Sequence, residues 1–299
     1  MITTSTFTTS SGKQLALYVW DKVEQPRMVL QLVHGMCEHS ARYDDFARYL
    51  NNNGIIVVMV DQRGHGLSTT PDSYGYEEGD MWTNNVNDQL ELTDWAGKYN
   101  LPIVVMGHSY GSFLTQRLIS LSKTPIAFIL SGSNYMKSPL FTLGAIIAKM
   151  ACNKDPKAPG ITMANLSFKA YEKQIPGTNN WLSRNEEVVA RYNDDPACGY
   201  VASNNFYSTF MQGIKLLYTR EAQASVDKDK PIYIFSGSCD PVGDNGVGPT
   251  KLLDYYKRIG CENVTLKIYQ ECRHEMLNEI NNTQVYADVL SFLNNLRVN

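Results

Sequence analysis

Six short apolar runs, separated by helix-like segments, constrain the fold more than any other feature of this sequence. Each run has the length of a strand and is nearly continuous, as in strands whose two faces are both covered by helices. They are MVLQLVHG (28–35), IIVVMVD (55–61), IVVMG (103–107), IAFILSG (126–132), IYIFSGS (232–238) and TLKIYQ (265–270). We therefore predict an α/β fold built on a mostly parallel sheet.

The N-terminal stretch TFTTSSGKQLALYVW adds two further strands to this sheet. It carries a turn signal at Ser11-Gly12, which predicts an antiparallel hairpin at the sheet edge. With the six apolar runs, the hairpin gives about eight strands.

An insertion interrupts the pattern between FILSGS and PIYIFSGS. Roughly a hundred residues lie there, where a crossover helix needs only a dozen or so. Ser183, followed by Glu186, has the spacing of a capping box and predicts the start of a helix that NDDP ends. We assign 1–134 and 213–299 to the core and 135–212 to an inserted helical cap.

Composition excludes several classes of protein. With 299 residues, 43% hydrophobic residues, 19% charged residues and a net charge of −3, the chain is globular in type and has no field that would attract nucleic acid. It has no apolar run of about 18 residues and no signal-like N-terminus. Its six cysteines are scattered, without zinc spacing or CxxC pairs. We expect reduced thiols in the cytoplasm, with neither metal nor cofactor.

One loop resembles a phosphate-binding motif without fulfilling it. GDNGVGPT (243–250) has the glycine spacing, but Pro249 stands where the motif needs lysine, and no strand directly precedes it. We therefore predict no nucleotide site in this loop.

The stretch GHSYGS places Ser109 between a strand and a helix. Helical spacing begins directly after the strand, with apolar or long side chains at 110, 113, 114, 117, 118 and 121. Glycines at 107 and 111 remove the Cβ atoms that would clash in so sharp a turn. The pattern predicts a nucleophile elbow that exposes the Ser109 hydroxyl at the carboxyl end of the strand.

A serine nucleophile needs a histidine base and an orienting carboxylate, in the chain order serine, acid, histidine. Of five histidines only His274 follows Ser109, so it is assigned as the base by elimination. Asp240 comes directly after a predicted strand and is our acid, with Asp244 as a second candidate. These residues should meet at the carboxyl edge of the sheet.

The reaction also needs two backbone donors for an oxyanion. We expect them to be the N–H of Tyr110, which follows the nucleophile, and the N–H of Met36, in the HGMCEH loop. His34 is predicted to stabilise this loop by hydrogen bonding.

One predicted cap helix carries an apolar face. In PLFTLGAIIAKMA, Leu140, Leu143, Ile147 and Met150 share this face. It could line an acyl-chain tunnel, contact a lipid surface or pack on the core.

At these motifs the sequence resembles the monoacylglycerol lipase and lysophospholipase group of α/β-hydrolases, which includes serine-aminopeptidase-like proteins. The similarity covers HGMCEHSARY, DQRGHGLS, GHSYGS, LSRNEEVVARYNDDP, GSCDPVG and RHEMLNE. It implies an α/β-hydrolase fold with a helical cap before the acid-bearing strand. It also implies Ser109, Asp240 and His274 as the catalytic triad and Met36 and Tyr110 as oxyanion donors.

For the remaining charged residues, the resemblance implies a structural rather than a catalytic histidine at His65. It also implies that Arg63 pairs with Glu38 to hold the oxyanion loop.

We interpret the chain as a serine hydrolase that cleaves carboxylic esters through an acyl-enzyme, with monoacylglycerol-like or lysophospholipid-like substrates and transient contact of the cap with lipid. One alternative is a serine aminopeptidase, which would need acidic groups such as Glu172, Glu186 or Glu187 near the site. The other is a non-catalytic ligand-binding protein on the same fold.

Overall fold

The computed structural model describes residues 2–297, and these form one sheet of eight strands in the order β1-β2-β4-β3-β5-β6-β7-β8. The strands are β1 (Thr3–Thr8), β2 (Gln14–Trp20), β3 (Met28–Val33), β4 (Ile55–Val60), β5 (Ile103–His108), β6 (Ala127–Ser131), β7 (Ile232–Gly237) and β8 (Val264–Tyr269). β1 pairs with β2 and β2 with β4 in antiparallel fashion, and the remaining pairs are parallel. The predicted fold class and N-terminal hairpin are confirmed.

Ten α-helices lie among the described residues. They are α1 (Asp44–Asn51), α2 (Met81–Ala96), α3 (Tyr110–Leu121), α4 (Pro139–Lys154), α5 (Ile161–Gln174), α6 (Glu186–Asp194), α7 (Asn204–Leu216), α8 (Arg220–Ser225), α9 (Val247–Arg258) and α10 (Asn282–Asn294).

Helices cover both faces of the sheet, which explains the continuous apolar runs. In β3, Leu30 and Leu32 belong to a core with side chains of α1 and α10, whereas Val33 packs in a second core with α2 and α3. Successive side chains of a strand point to opposite faces, so a strand that is buried on both sides is apolar along most of its length. All six residues of β4 are buried for this reason.

The strand order reverses beside β3. The chain passes from β3 to β4 on one side and then returns to place β5 on the other. A crevice forms at such a point, outside the carboxyl ends of the strands. The loops after β3 and β5 therefore meet where ligands bind in open α/β sheets.

Helices α4 to α8 lie between β6 and β7, in the segment where the sequence predicted an insertion. The assigned cap, 135–212, holds α4, α5, α6 and most of α7, which runs on to Leu216 and packs against both α4 and α2. The division into core and cap stays a prediction.

The predicted capping box is wrong by two residues. The side chain of Asn185, not Ser183, caps α6 by accepting hydrogen bonds from the N–H groups of Glu187 and Val188. The Ser183 hydroxyl instead donates to the carbonyl of Asn278, 2.9 Å away. The helix ends at Asp194, as NDDP predicts.

Within residues 2–297, none of the helices combines the length and the apolar character needed to cross a bilayer.

Candidate active site

Ser109 occupies the sharp turn that the two glycines predict. It has φ 52° and ψ −120°, outside the regions that L-residues ordinarily adopt, and it lies between the end of β5 and the start of α3. A Cβ on Gly107 would lie 2.2 Å from the carbonyl oxygen of Gly111, and one on Gly111 would lie 2.1 Å from that of Val33. Only glycine fits these positions. Strained residues of this kind cluster at functional sites.

Hydrogen bonds hold the strained turn in place. The N–H of Ser109 donates to the carbonyl of Ser131 at 2.9 Å, and the carbonyl of Ser109 accepts from the Ser112 N–H at 2.8 Å and hydroxyl at 2.6 Å. Neighbouring backbone therefore fixes the serine, as expected where strain persists in a fold.

His274 and Asp240 form a buried acid–base pair. The Nδ1 atom of His274 lies 3.0 Å from Oδ1 of Asp240, and both side chains are almost fully buried. The carboxylate also accepts hydrogen bonds from the Ser236 hydroxyl at 3.0 Å and the Val242 N–H at 2.9 Å. These two further donors fix the carboxylate plane and, through it, the orientation of the imidazole.

Charge and burial act in opposite directions on this pair. Burial alone would raise the pKa of Asp240, but the charge of His274 and the hydrogen bonds from His274, Ser236 and Val242 lower it. Burial alone would lower the pKa of His274, but Asp240 and then Glu275 and Glu38 raise it above the ordinary histidine value. Each member of the pair thus favours the charged form of the other.

Ser109, His274, Met36 and Tyr110 all line one cavity of about 520 Å³. Asp240 lies behind His274, and Pro241 and Val242 of the same loop reach the cavity wall. The predicted residues are therefore brought together from four loops. Asp244, the second acid candidate, is exposed and lies outside the residues that line the cavity.

The loop after β3 passes directly over the serine. A Cβ on Gly35 would lie 3.3 Å from the Cβ of Ser109 and 2.6 Å from Oε1 of Glu38, so the backbone approaches the nucleophile closely. Tyr110 stands in the first turn of α3, where N–H groups have no acceptor within the helix. The backbone of this loop and the first turn of α3 therefore both lie beside the serine, and the assignment of Met36 and Tyr110 as oxyanion donors stays a prediction.

The structure gives His34 and His65 structural positions. Nε2 of His34 accepts from the N–H of Gln62 at 2.9 Å, so its Nδ1 carries the proton and lies 2.8 Å from the Gly35 carbonyl. His65 is fully buried, and burial and the neighbouring His34 lower its pKa to about 3. Burial also lowers the pKa of His34, so both rings stay neutral. Each ring hydrogen-bonds to a backbone carbonyl of its own loop, as expected of a structural histidine.

The expected Arg63–Glu38 pair is wrong. Arg63 binds both carboxylate oxygens of Asp88, on α2, at 2.7 and 2.8 Å. Glu38 is bound instead by Arg42, four residues further along the same loop. The spacing of charges in the sequence does not distinguish these partners, because Asp88 comes close to Arg63, in the loop after β4, only through the packing of α2.

Sequence reasoning missed a second group of buried charges. Arg42 binds Glu38 and also Glu275, the residue after His274, and both carboxylates border the cavity. Two signals pointed to it: the i,i+4 spacing in EHSAR and the acid adjoining the predicted base.

Much of the remaining wall is apolar and comes from α4 and α5. Leu140, Leu143 and Ile147 of α4, with Met163 and Leu166 of α5, border the cavity. The predicted face of α4 thus reaches the cavity at three positions. Met150, the fourth, is 68% exposed and lies outside the lining.

The acids expected to mark an aminopeptidase lie elsewhere. Glu186 and Glu187 are exposed in the first turn of α6, and neither they nor Glu172 belong to the cavity wall. The carboxylates at the wall, Glu38 and Glu275, already share Arg42.

One group of side chains has donors suited to a metal ion. His39, Asp195 and Cys198 bring one ligand atom each within 4.8 Å of one another. Nε2 of His39 already meets Oδ2 of Asp195 at 2.9 Å, and the Arg42 cation lies beside the group, over the ring of Tyr192. The imidazole and the carboxylate thus bind each other, burial raises the pKa of the Cys198 thiol, and we assign no metal to this group.

The chain is similar to known hydrolases along most of its length. Residues 24–281 match the model of a family described as serine aminopeptidase, S33. The monoacylglycerol lipase of Mycolicibacterium smegmatis is 28% identical over 94% of this chain and 93% of its own. The human monoglyceride lipase is 26% identical over 91% of this chain and 83% of its own.

Solved structures agree on the fold. A lipase in an open form superposes with a TM-score of 0.88 at 25% identity, covering 99% of both chains. A soluble variant of the Saccharomyces cerevisiae monoglyceride lipase, in complex with a substrate analogue, has a TM-score of 0.78 at 20% identity over 99% of this chain and 96% of its own. At that identity the likeness concerns the fold alone.

Proposed function

The chain belongs to the serine aminopeptidase S33 family of α/β-hydrolases, and we propose that it hydrolyses carboxylic esters of lipids, with monoacylglycerols or lysophospholipid-like acyl esters as substrates. The observation that carries the proposal is that His274, paired with Asp240, lines the same largely apolar cavity as the strained Ser109. The names of the relatives support the ester class, since they are lipases.

Ser109 is the proposed nucleophile and His274 the proposed base. Asp240 accepts the hydrogen on Nδ1 of His274, which leaves Nε2 to take the proton of the Ser109 hydroxyl as the oxygen attacks the ester carbonyl. The N–H groups of Met36 and Tyr110 then stabilise the oxyanion. One such donor typically contributes about 10²- to 10³-fold in rate.

The same groups complete the first half of the reaction and then carry out the second. Protonated His274 gives its proton to the departing alcohol, and the acyl group remains on Ser109. Water then gives a proton to His274 as its oxygen attacks the acyl carbonyl. When the bond between the acyl carbon and the Ser109 oxygen breaks, His274 gives that proton to the Ser109 oxygen, and the acid leaves.

The volume and the lining of the cavity favour a substrate with a long acyl chain. Its volume of about 520 Å³ lies within the usual range for ligand pockets, roughly 300 to 1,000 Å³. Leucine and methionine side chains of α4 and α5 give its far wall no charge, so a fatty acyl chain fits its chemistry and a charged peptide does not.

A peptide amine would need an unpaired carboxylate near the serine. Glu38 and Glu275 each form ion pairs with Arg42 and do not offer one. This weighs against an aminopeptidase, although the family description carries that name.

Apolar side chains of the cap also face outward. Leu140, Ile146 and Met150 of α4, and Ile161 and Leu166 of α5, are more than half exposed. We infer that this surface, called here the α4–α5 patch, contacts lipid transiently while the substrate enters.

The six cysteines are all free, which supports a reducing compartment such as the cytoplasm.

A panel of substrates tests the proposal. We expect turnover of p-nitrophenyl esters that improves from acetate toward medium or long acyl chains, with no turnover of proline p-nitroanilide, and we expect Ser109→Ala to abolish all of it. Faster cleavage of the anilide would favour the aminopeptidase. Undiminished ester turnover by Ser109→Ala would remove Ser109 from the mechanism.

A further inference from the structure

Two loops that are distant in the sequence share one buried arginine. Arg42, in the loop after β3, directs Nη1 at Oε1 of Glu275, 2.8 Å away, and Nη2 at Oε2, 2.7 Å away. The same Nη1 also donates to Oε2 of Glu38. The arginine side chain is 12% exposed and both carboxylate side chains 4%.

Each carboxylate is tied in turn to a part of the proposed catalytic site. Oε1 of Glu38 accepts the N–H of Gly35 at 2.5 Å and the hydroxyl of Tyr43 at 2.9 Å, so it holds the loop that carries Met36. Glu275 directly follows His274 in the chain. One guanidinium therefore connects the oxyanion loop with the loop of the base.

The cap segment around α6 is fastened to the same two loops. The N–H groups of His274 and Glu275 donate to the carbonyls of Trp181 and Leu182 at 3.2 and 2.7 Å. On the other side, the hydroxyl of Tyr192 donates to the Cys37 carbonyl at 3.1 Å.

Stability alone is a weak reason for such a cluster. Burying three charges costs more solvation than their attraction commonly returns, and apolar residues of the same volume often serve as well. A bidentate arginine does fix geometry, because its planar guanidinium has one favourable arrangement against a carboxylate when two nitrogens donate to the two oxygens.

We propose that Arg42 is a positioning residue: by binding Glu38 and Glu275 together, it fixes the oxyanion loop relative to His274. This inference rests on the proposed function, because it concerns the same reaction. We call the three residues the Arg42 tether. Its role is to keep the distance between the amide donors and the base constant through the reaction.

The tether also has an electrostatic consequence. The charged or titratable groups around His274 are Asp240 from the loop after β7, His108 at the end of β5, and Glu275 and Glu38 of the tether. Burial and the neighbouring His274 lower the pKa of His108 to about 4, so it stays neutral. Both tether carboxylates raise the pKa of His274, so neutralising one should lower it.

Four variants test the tether. Glu38→Gln and Glu275→Gln each remove one charge and one partner of Arg42, while the amide introduced by Glu38→Gln keeps an oxygen for the Gly35 N–H. Arg42→Met removes the centre, and Arg42→Lys keeps the charge without the fork. Arg48→Met is the control, since Arg48 also pairs with an acid four residues earlier but is 54% exposed on α1.

The measurement is kcat and KM on a short soluble ester, from pH 5 to 9, per site that a fluorophosphonate labels to completion. We expect kcat of the tether variants to fall about tenfold or more with little change in KM, and Arg42→Lys to recover part of the loss. The acidic limb of kcat/KM should move to lower pH in Glu275→Gln, because the loss of that charge lowers the pKa of His274 and activity is lost as His274 protonates. Arg48→Met should match the wild type.

If all tether variants that fold keep the wild-type kcat per labelled site and the same acidic limb, the tether only stabilises the fold and the inference is overturned. Should Arg42→Met fail to fold, the two glutamine variants decide. A wild-type protein that labels but cleaves no ester would overturn the proposed function instead. The tether would then be tested by comparing the rate of labelling of its variants with that of the wild type across the same pH range, and equal rates would overturn the inference.

Discussion

At the scale of single residues, the turn at Ser109 depends on what its neighbours lack. Gly111 has the carbonyl oxygens of Val33 and His34 at 2.1 and 2.5 Å from where a Cβ would stand. These atoms belong to the end of β3 and the loop after it, in the interior of the sheet, so they cannot rotate away as a flexible side chain could.

Gly111→Ala should therefore damage both stability and activity. We expect it to cost about 3 kcal/mol or more, a fall in Tm of roughly 5–10 °C, and to lower kcat by displacing Ser109. Gly97→Ala is the matched control, because a Cβ there meets no atom within 4 Å. Thermal unfolding and ester kinetics measure both effects. Equal behaviour of the two variants would contradict this account of the turn.

The sequence could single out residues that have a local signature, but it could not identify those defined by packing. Ser109 was found because two glycines at fixed spacing bracket it, and His274 because it is the one histidine after the serine. The partner predicted for Arg63, Glu38, was wrong, because Asp88 becomes the neighbour of Arg63 only when α2 packs on the sheet. Arg42 was missed for the same reason: Glu275 lies 233 residues away.

At the scale of elements, the segment predicted to form the cap has an anchored part and an exposed part. The segment from Trp181 to Gly199, with α6 inside it, is hydrogen-bonded to the base loop at one end and to Cys37 at the other. In α4, by contrast, only Ala145 and Ala148 are buried. Segments with few buried contacts open at the lowest free energy, so we expect a movement that admits substrate to involve α4 and α5.

The α4–α5 patch leads to a prediction about interfacial activity. Ile146 and Met150 are exposed and lie outside the cavity wall. Replacing both with Ser should weaken hydrolysis of monoacylglycerol in phospholipid vesicles several-fold and leave hydrolysis of a dissolved short-chain ester unchanged, because only lipid contact is lost. Leu67→Ser is the control, since Leu67 is 70% exposed outside the cap. Equal loss on both substrates would argue against a lipid-contacting patch.

The start of α6 shows why helix ends were harder to predict than helices. Ser183 has the capping-box spacing, yet its hydroxyl is taken by the Asn278 carbonyl near the base loop, and Asn185 caps the helix instead. A tertiary contact overrode a local preference of about 1 kcal/mol. The pattern of apolar residues placed the helix, but the cap depended on what packs beside it.

At the scale of the whole molecule, the sheet explains why three distant residues meet. β5, β7 and β8 run parallel, so the loops after them, with Ser109, Asp240 and His274, leave the same edge. The strands were predictable because burial on both faces makes them continuously apolar. The apolar runs do not reveal the order of the strands in the sheet, because that order depends on which helices cover which face.

The central claim is that Ser109, activated by His274, is the nucleophile, and fluorophosphonate labelling mapped by mass spectrometry tests it most directly. We predict one adduct per chain, on the peptide that contains Ser109, absent in Ser109→Ala and formed at least about 10³-fold more slowly in His274→Ala. An adduct on another residue, or labelling of His274→Ala at the wild-type rate, would contradict the account.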